Sequence, residues 1–262
     1  MVLFCDLDNT LIYSYKCNIG EEKRCVEVYQ GRDISFMTEK QHRLLCRLAK
    51  KIEFIPTTTR TNEQYQRIKL GIGEIKYALT CNGGVLLENG KENERWYEES
   101  LDLIKNSRPV MDEALDILEF DKRRTFELRF IKELFVFTKC GNPNQVVEEL
   151  REKLDCTYVD VFCNGVKVYV VPKNLNKGKA IERLKGYLGE NECIVAGDSE
   201  FDLSMLKIAS IGFAPIELGR CLKDCKNIEL INDDVLFGEE LLYRIDRYIQ
   251  KKVNFLCSKK KA

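Results

Sequence analysis

The chain opens on an apolar run, Met1 to Cys5, that breaks abruptly into Asp6-Leu7-Asp8-Asn9-Thr10. A short apolar run bounded in this way predicts a strand buried on both faces, with the acidic segment at its C-terminal end. Val26, Val28, Ile34 and Phe36 then alternate with polar residues around Gln30-Gly31-Arg32-Asp33, which predicts a hairpin over about 24–37. Thr38 and Gln41 stand at capping-box spacing, and Leu44, Leu45 and Leu48 follow as a helical stripe. Ile52 to Ile55 reads as a second buried strand. It ends at Pro56-Thr57-Thr58-Thr59-Arg60-Thr61, where a helix begins, and Tyr77 to Thr80 makes a third strand before Cys81-Asn82-Gly83-Gly84. Strands and helices alternating at this rhythm predict a parallel sheet with covered faces.

The pattern then changes. From about 85 to 171 the sequence predicts a short hairpin, a helix over about 99–118, strands at 125–130 and 133–138, a helix over about 145–154, and strands at 158–163 and 166–171. Paired strands with segregated helices indicate an α+β unit. After Pro172 the first rhythm resumes. A helix covers about 177–188, Cys193 to Ala196 forms a buried strand, a helix runs through Met205, Ile211 to Ala214 forms a strand, and a last helix covers about 238–254. The expected organisation is therefore an α/β core of residues 1–84 and 172–262, interrupted by an α+β domain of residues 85–171.

Composition narrows the function classes. At 44% hydrophobic and 32% charged, with five prolines, the chain is a globular protein rather than a disordered or fibrous one. Its formal net charge is zero, which removes any global attraction to nucleic acid or to a membrane surface. No stretch is apolar for long enough to span a bilayer. Val2 to Cys5 is too short for a leader, so a cytoplasmic location is expected. The twelve cysteines include no CxxC pair, and Cys221 with Cys225 is the closest spacing, so reduced thiols are expected. Lys259-Lys260-Lys261 reads as a frayed, solvated end. His42, the sole histidine, reads as a packing or surface residue.

Four polar clusters fall at strand ends, where open α/β sheets form ligand sites. Asp6 and Asp8, at i and i+2, can face one crevice, and their repulsion would be relieved by a hard divalent cation. Gly197-Asp198-Ser199-Glu200-Phe201-Asp202 supplies two further carboxylates after another buried strand. Thr58 offers a hydroxyl and a backbone N–H at a helix start, a combination suited to a phosphate oxygen. Lys177 opens a helix, a position the macrodipole disfavours unless an anion lies nearby. Each cluster alone also has an ordinary explanation as a turn, a cap or a solvated lysine.

Together and in this order, Phe4-Cys5-Asp6-Leu7-Asp8-Asn9-Thr10-Leu11, Thr58, Lys177 and Gly197-Asp198 with Asp202 resemble the four motifs of the haloacid dehalogenase (HAD) superfamily. Cys81-Asn82-Gly83-Gly84 is similar to the Asn-Gly element preceding the cap in the Cof-like and sucrose-phosphate-phosphatase-like branch. The resemblance implies a Rossmann-like HAD core with a compact αββαββ version of the type-2 cap over about 85–171. It implies a Mg²⁺-dependent phosphomonoester hydrolase acting on a small phosphorylated metabolite, in particular a sugar phosphate, through an aspartyl-phosphate on Asp6. In that scheme Asp8 is the acid–base residue, and Thr58 and Lys177 hold the phosphoryl group. The metal is bound by Asp6, the Asp8 carbonyl, Asp198 and Asp202. Thr59, Arg60 and Asn82 are candidate substrate contacts, with Arg60 equally able to pair with an acid at the surface, while Arg129, Lys132 and Lys139 of the cap read as a solvated charged face. Three details depart from the pattern or compete with it. Phe201 stands where the branch has Asn, Thr59 stands where it commonly has glycine, and Lys179 is a near rival of Lys177. A phosphohexomutase of the same fold and a weakly active binding or regulatory module are the alternatives. The sequence specifies no oligomeric state.

Overall fold

The computed structural model describes residues 1–259, with side chains described through Val253. The lysine tail read above as a frayed end lies outside the described side chains. β1 (Val2–Cys5) is buried at every residue. In the turn after it, Asn9 takes a left-handed φ of 57°, which asparagine tolerates better than most residues. β2 (Tyr13–Ser14), β3 (Lys23–Tyr29) and β4 (Arg32–Thr38) then form an antiparallel sheet in the order β2-β4-β3. α1 (Glu39–Ala49) starts at Thr38, where Thr38 and Gln41 exchange both capping-box bonds, and it buries Leu44, Leu45 and Leu48. β5 (Glu53–Pro56) leads to α2 (Asn62–Gln66), a short helix with its own capping box from Thr61 and Gln64.

Simple alternation fails inside the hairpin. The β3–β4 register shifts on both sides of Glu27, so one extra residue is accommodated on each strand. Such bulges re-aim side chains. Val26 and Glu27, neighbours in sequence, are both buried, and Val28, which alternation would bury, is 51% exposed.

β6 (Tyr77–Thr80) pairs with β7 (Val85–Glu88), and β7 pairs with β8 (Lys91–Glu92), all antiparallel. The strand–helix rhythm had assigned β6 to the parallel sheet. Instead it touches β5 through one bridge, Thr57 to Leu79. The tight return through Cys81–Gly84 gives β6 a full ladder at small loop-closure cost, and this local pairing prevails.

The single helix expected over about 99–118 is two, α3 (Glu94–Ile104) and α4 (Arg108–Glu119), joined by the 3₁₀ turn Lys105–Ser107. Pro109 has no N–H with which to continue the α3 ladder, but it suits the first turn of a new helix. β9 (Arg129–Ile131) is shorter than expected. Residues 126 and 127 direct their carbonyls to the Thr138 hydroxyl instead of to a strand ladder. β10 (Phe135–Lys139), α5 (Pro143–Lys153), β11 (Val159–Asn164) and β12 (Lys167–Pro172) complete an antiparallel sheet in the order β11-β12-β10-β9. Its Val136, Val161 and Val170 are buried with Met111 and Leu118 of α4 and Val147 of α5. The opposite face carries Arg129, Phe137, Tyr169 and Phe162 as cross-strand partners in one row.

The chain then returns through α6 (Lys177–Leu188), β13 (Cys193–Ala196), α7 (Leu203–Lys207), β14 (Ile211–Pro215), β15 (Ile228–Ile231) and α8 (Phe237–Lys259). The core sheet runs β15-β14-β13-β1-β5 and is parallel throughout. β15 escaped sequence reading because its half-exposed Ile-Glu-Leu-Ile carries no continuous apolar run. One face of the sheet, through Leu3 and Cys5, packs on α1 and α8; the other, through Val2 and Phe4, packs on α6 and α7. Among the described residues no helix is long and apolar enough to cross a membrane, and the eleven cysteines with described side chains are free thiols.

Candidate active site

Parallel register sends the ends of β1, β13 and β5 out of the sheet at one edge. Cys5 stands beside both Ala196 and Pro56, so Asp6, Gly197 and Thr57 emerge together. Asp6 is 6% exposed and Lys177 1% exposed, and Lys177 Nζ donates to Asp6 Oδ1 at 2.5 Å and to Asp202 Oδ1 at 2.6 Å. These carboxylates are the anions that a lysine at a helix start requires. Lys179, by contrast, is exposed and bonded to Asn174.

Asp202 is wholly buried. Its Oδ2 accepts from the backbone N–H of Asp198 at 3.0 Å and from the N–H and hydroxyl of Ser199 at 2.9 Å each. With Lys177 on Oδ1, Asp202 is fully engaged in holding the loop and the lysine. Asp198 is oriented by Thr10, whose hydroxyl donates to Asp198 Oδ1 at 2.7 Å. Two glycines permit this closeness. A Cβ on Gly197 would lie 2.4 Å from Asp202 Cβ, and one on Gly178 would lie 2.4 Å from the Ser204 carbonyl oxygen.

Ligand oxygens of Asp6, Asp198 and Asp202 lie within 4.8 Å of one another. Burial pushes the Asp6 carboxyl well above its usual range; Lys177 counteracts this, and Asp202 and Asp198 add to it. Burial, followed by the Asp202 charge, pushes Asp198 up to about 7. Burial works against the Lys177 charge, but Asp202 and Asp6 outweigh it and keep the ammonium protonated. Three carboxylates facing one ammonium leave the pocket short of positive charge. Their hard oxygen donors and their spacing fit a divalent ion such as Mg²⁺.

Asp8 lies at a second corner. Its oxygens accept from Arg60 Nε and Nη2, both at 2.7 Å, and its side chain is 48% exposed. Burial works against the Arg60 charge, and the bonds and charge of Asp8, then of Glu27, more than restore it. Asp8 therefore contributes no side-chain oxygen to the acidic triad, and Arg60 is occupied with Asp8 rather than directed freely into the cleft. Thr58 is buried, donates its backbone N–H to Leu79 O at 2.8 Å, and has a hydroxyl oxygen that accepts from Arg60 N at 3.2 Å. Thr59 is half-buried in the same turn.

Asn82 is buried at a left-handed φ of 59° and donates its amide to Leu175 O at 2.9 Å, tying the turn after β6 to the segment before α6. Its Oδ1 has no partner. Sequence reading passed over Glu27, Thr10 and Tyr169. The bulge hid Glu27, Thr10 lay within a recognised motif without an assigned bond, and Tyr169 read as a plain strand residue. Burial raises the Tyr169 hydroxyl pKa, and the Asp8 charge raises it further. Phe201, in the loop between Asp198 and Asp202, meets that row edge-on, with ring centroids 4.6 Å from Phe162 and 5.1 Å from Tyr169. Of the cap cations, Lys132 pairs with Glu92 at 2.9 Å, Arg129 pairs with Glu127, and Lys139 lies over the Phe126 ring. His42 packs against Arg24 and the Gly71 carbonyl.

Comparison with known proteins agrees with this architecture. A family model described as haloacid dehalogenase-like hydrolase matches residues 91–215, a span that includes Lys177, Asp198 and Asp202. The fold of the whole chain matches the sucrose-phosphatase of Synechocystis, solved with sucrose and phosphate, at TM-score 0.65 and 18% identity, covering 95% of this chain and 97% of that one. The family model thus covers just under half of the chain, and the solved neighbour shares its fold. A HAD-like hydrolase from Bacteroides thetaiotaomicron has the same fold at TM-score 0.55 and 19% identity, over 93% of this chain and 98% of that one. In sequence, this chain is 25% identical to the phosphoglycolate phosphatase of Sulfurisphaera tokodaii over 179 residues, 66% of this chain and 67% of that enzyme. It is also 25% identical to the phosphoglycolate phosphatase of Archaeoglobus fulgidus over 158 residues, 58% of this chain and 65% of that enzyme. The match therefore spans about two thirds of the length of these curated relatives.

Proposed function

We propose that this chain is a cytoplasmic, Mg²⁺-dependent phosphatase of a small phosphorylated metabolite, with Asp6 as nucleophile. A core of residues 1–84 and 172–262 does the chemistry, and a cap of residues 85–171 covers it. The observation that carries the reading is the Asp6 carboxylate held at 2.5 Å by a buried lysine, beside the buried Asp202 and the partly buried Asp198, with too little positive charge around them.

An Asp6 oxygen attacks phosphorus as the bond to the leaving oxygen breaks, giving an aspartyl-phosphate. Asp8 gives a proton to the leaving alkoxide. It then takes a proton from the water that attacks phosphorus, which frees Asp6 and inorganic phosphate. The Lys177 ammonium and the Thr58 hydroxyl donate to the phosphoryl oxygens. Asp6, Asp198, the Asp8 carbonyl and Asp202 would hold Mg²⁺, with Asp202 chiefly positioning; the ion's contribution is to offset phosphoryl charge.

Substrate size follows from the cap. Phe137, Tyr169 and Phe162 form an aromatic row on one face of the cap sheet, and aromatic faces suit the C–H surface of a sugar ring. The names of the curated relatives and of the sucrose-phosphatase favour small organophosphates. Neutral net charge supports no nucleic-acid or membrane partner.

Phosphate release from a panel of sugar and acid phosphates, with Mg²⁺ and with chelator, tests the reading. Expected is turnover that needs Mg²⁺ and vanishes in Asp6→Asn. Isomerised sugar phosphate without net phosphate release would point to a mutase, and no turnover of any compound would remove the enzyme reading.

A further inference from the structure

The clamp on Asp8 is anchored from outside the four strand-end clusters. Glu27, on β3, has a fully buried side chain that accepts from the Ser35 hydroxyl at 2.7 Å, Arg60 Nη1 at 2.8 Å and Arg67 Nε at 3.1 Å. Burying a carboxylate is costly unless hydrogen bonds and opposite charges compensate it, and here two guanidiniums and a hydroxyl do so. Hairpin packing alone does not call for a charge at this point. The paired register shifts turn Val28 out to solvent and Glu27 in.

We infer that Glu27 is a positioning residue for the proposed proton donor Asp8, acting through Arg60. The inference rests on the reading of Asp8 as the acid–base group. The Arg60 fork spans both Asp8 oxygens with Nε and Nη2, while Nη1 is fixed on Glu27. Bonds on both sides therefore set the plane of the guanidinium, and with it the plane of the carboxylate. The open outer edge of Asp8 is left to meet the leaving oxygen. Without the Glu27 charge the fork is free to turn, and Asp8 spends less time aimed.

The defect this produces is selective. Proton donation matters most when an alkoxide leaves and least when a stabilised phenolate leaves, whereas attack by Asp6 is required in both cases. The test uses the full chain with Mg²⁺ and compares kcat/KM, which reports the first phosphoryl transfer, for glycerol phosphate and p-nitrophenyl phosphate. Glu27→Gln is expected to lower the glycerol phosphate value about tenfold or more, and the p-nitrophenyl phosphate value by no more than about twofold. Arg60→Lys, which keeps the charge but loses the fork, is expected to show the same split, and Glu27→Asp to recover part of the loss. Arg60→Lys alone decides the question if Glu27→Gln does not fold. Equal losses on both substrates, or no loss in a folded variant, overturn the positioning role and leave the Asp6 chemistry standing. A wild-type chain that hydrolyses neither compound overturns both.

Discussion

The two charged corners of this site hold similar residues in opposite states of balance. Around Asp6, three carboxylates share one ammonium, all of them buried or nearly so. Around Asp8, two carboxylates meet two guanidiniums, and the Asp8 side chain is half open to solvent. The first corner has a deficit of positive charge that a cation would offset. The second is already neutral, so it holds a direction rather than a potential. Counting acids in the sequence treats Asp6 and Asp8 alike; counting their partners separates an acid-rich pocket from a balanced ion-pair network.

That contrast can be broken in several places. The largest effect is expected from Asp6→Asn, which should abolish phosphate release while leaving the fold intact, checked by circular dichroism beside the assay. Lys177→Met removes the only cation among the three acids. Breaking a buried pair in this way costs about 3–5 kcal/mol, and urea unfolding should show the loss, part of which added Mg²⁺ should restore. Gly197→Ala drives a methyl into Asp202, so Mg²⁺ dependence should weaken together with stability, as read by a magnesium titration of thermal unfolding.

A pH experiment sharpens the comparison without altering the fold. Asp198 is raised to about 7 when folded, so between its unfolded value and about 7 the folded chain holds a proton that the unfolded chain releases. The contribution of Asp198 to stability therefore grows as pH falls from about 8 toward the unfolded carboxylate range near 4. The chelated wild type should show this component, Asp198→Asn should lack it, and saturating Mg²⁺ should suppress it. The smallest effect is expected from Phe201→Asn, which removes two edge-on ring contacts worth about 0.5–1.5 kcal/mol each, a loss that denaturant unfolding would register.

Much of this was legible because the clusters that matter sit at the ends of wholly apolar strands. Asp6, Asp198 and Lys177 could be read from their punctuation, and the change of rhythm signalled the separate antiparallel sheets. What was not legible depended on backbone irregularity or on distant partners. A bulge reversed Val28 and Glu27, Pro109 split a helix that apolar periodicity ran together, and local pairing drew β6 away from the parallel sheet. Arg60, read either as a substrate contact or as the partner of an acid, pairs with Asp8 and Glu27, 52 and 33 residues away in the chain. No periodicity encodes a pairing of that kind.

Phe201 interlocks the loop carrying Asp198 and Asp202 with the rings of the insert. Any shift of the sheet bearing those rings is therefore passed on to the residue adjacent to Asp202, so the position of the insert and the geometry of the acidic loop are set together.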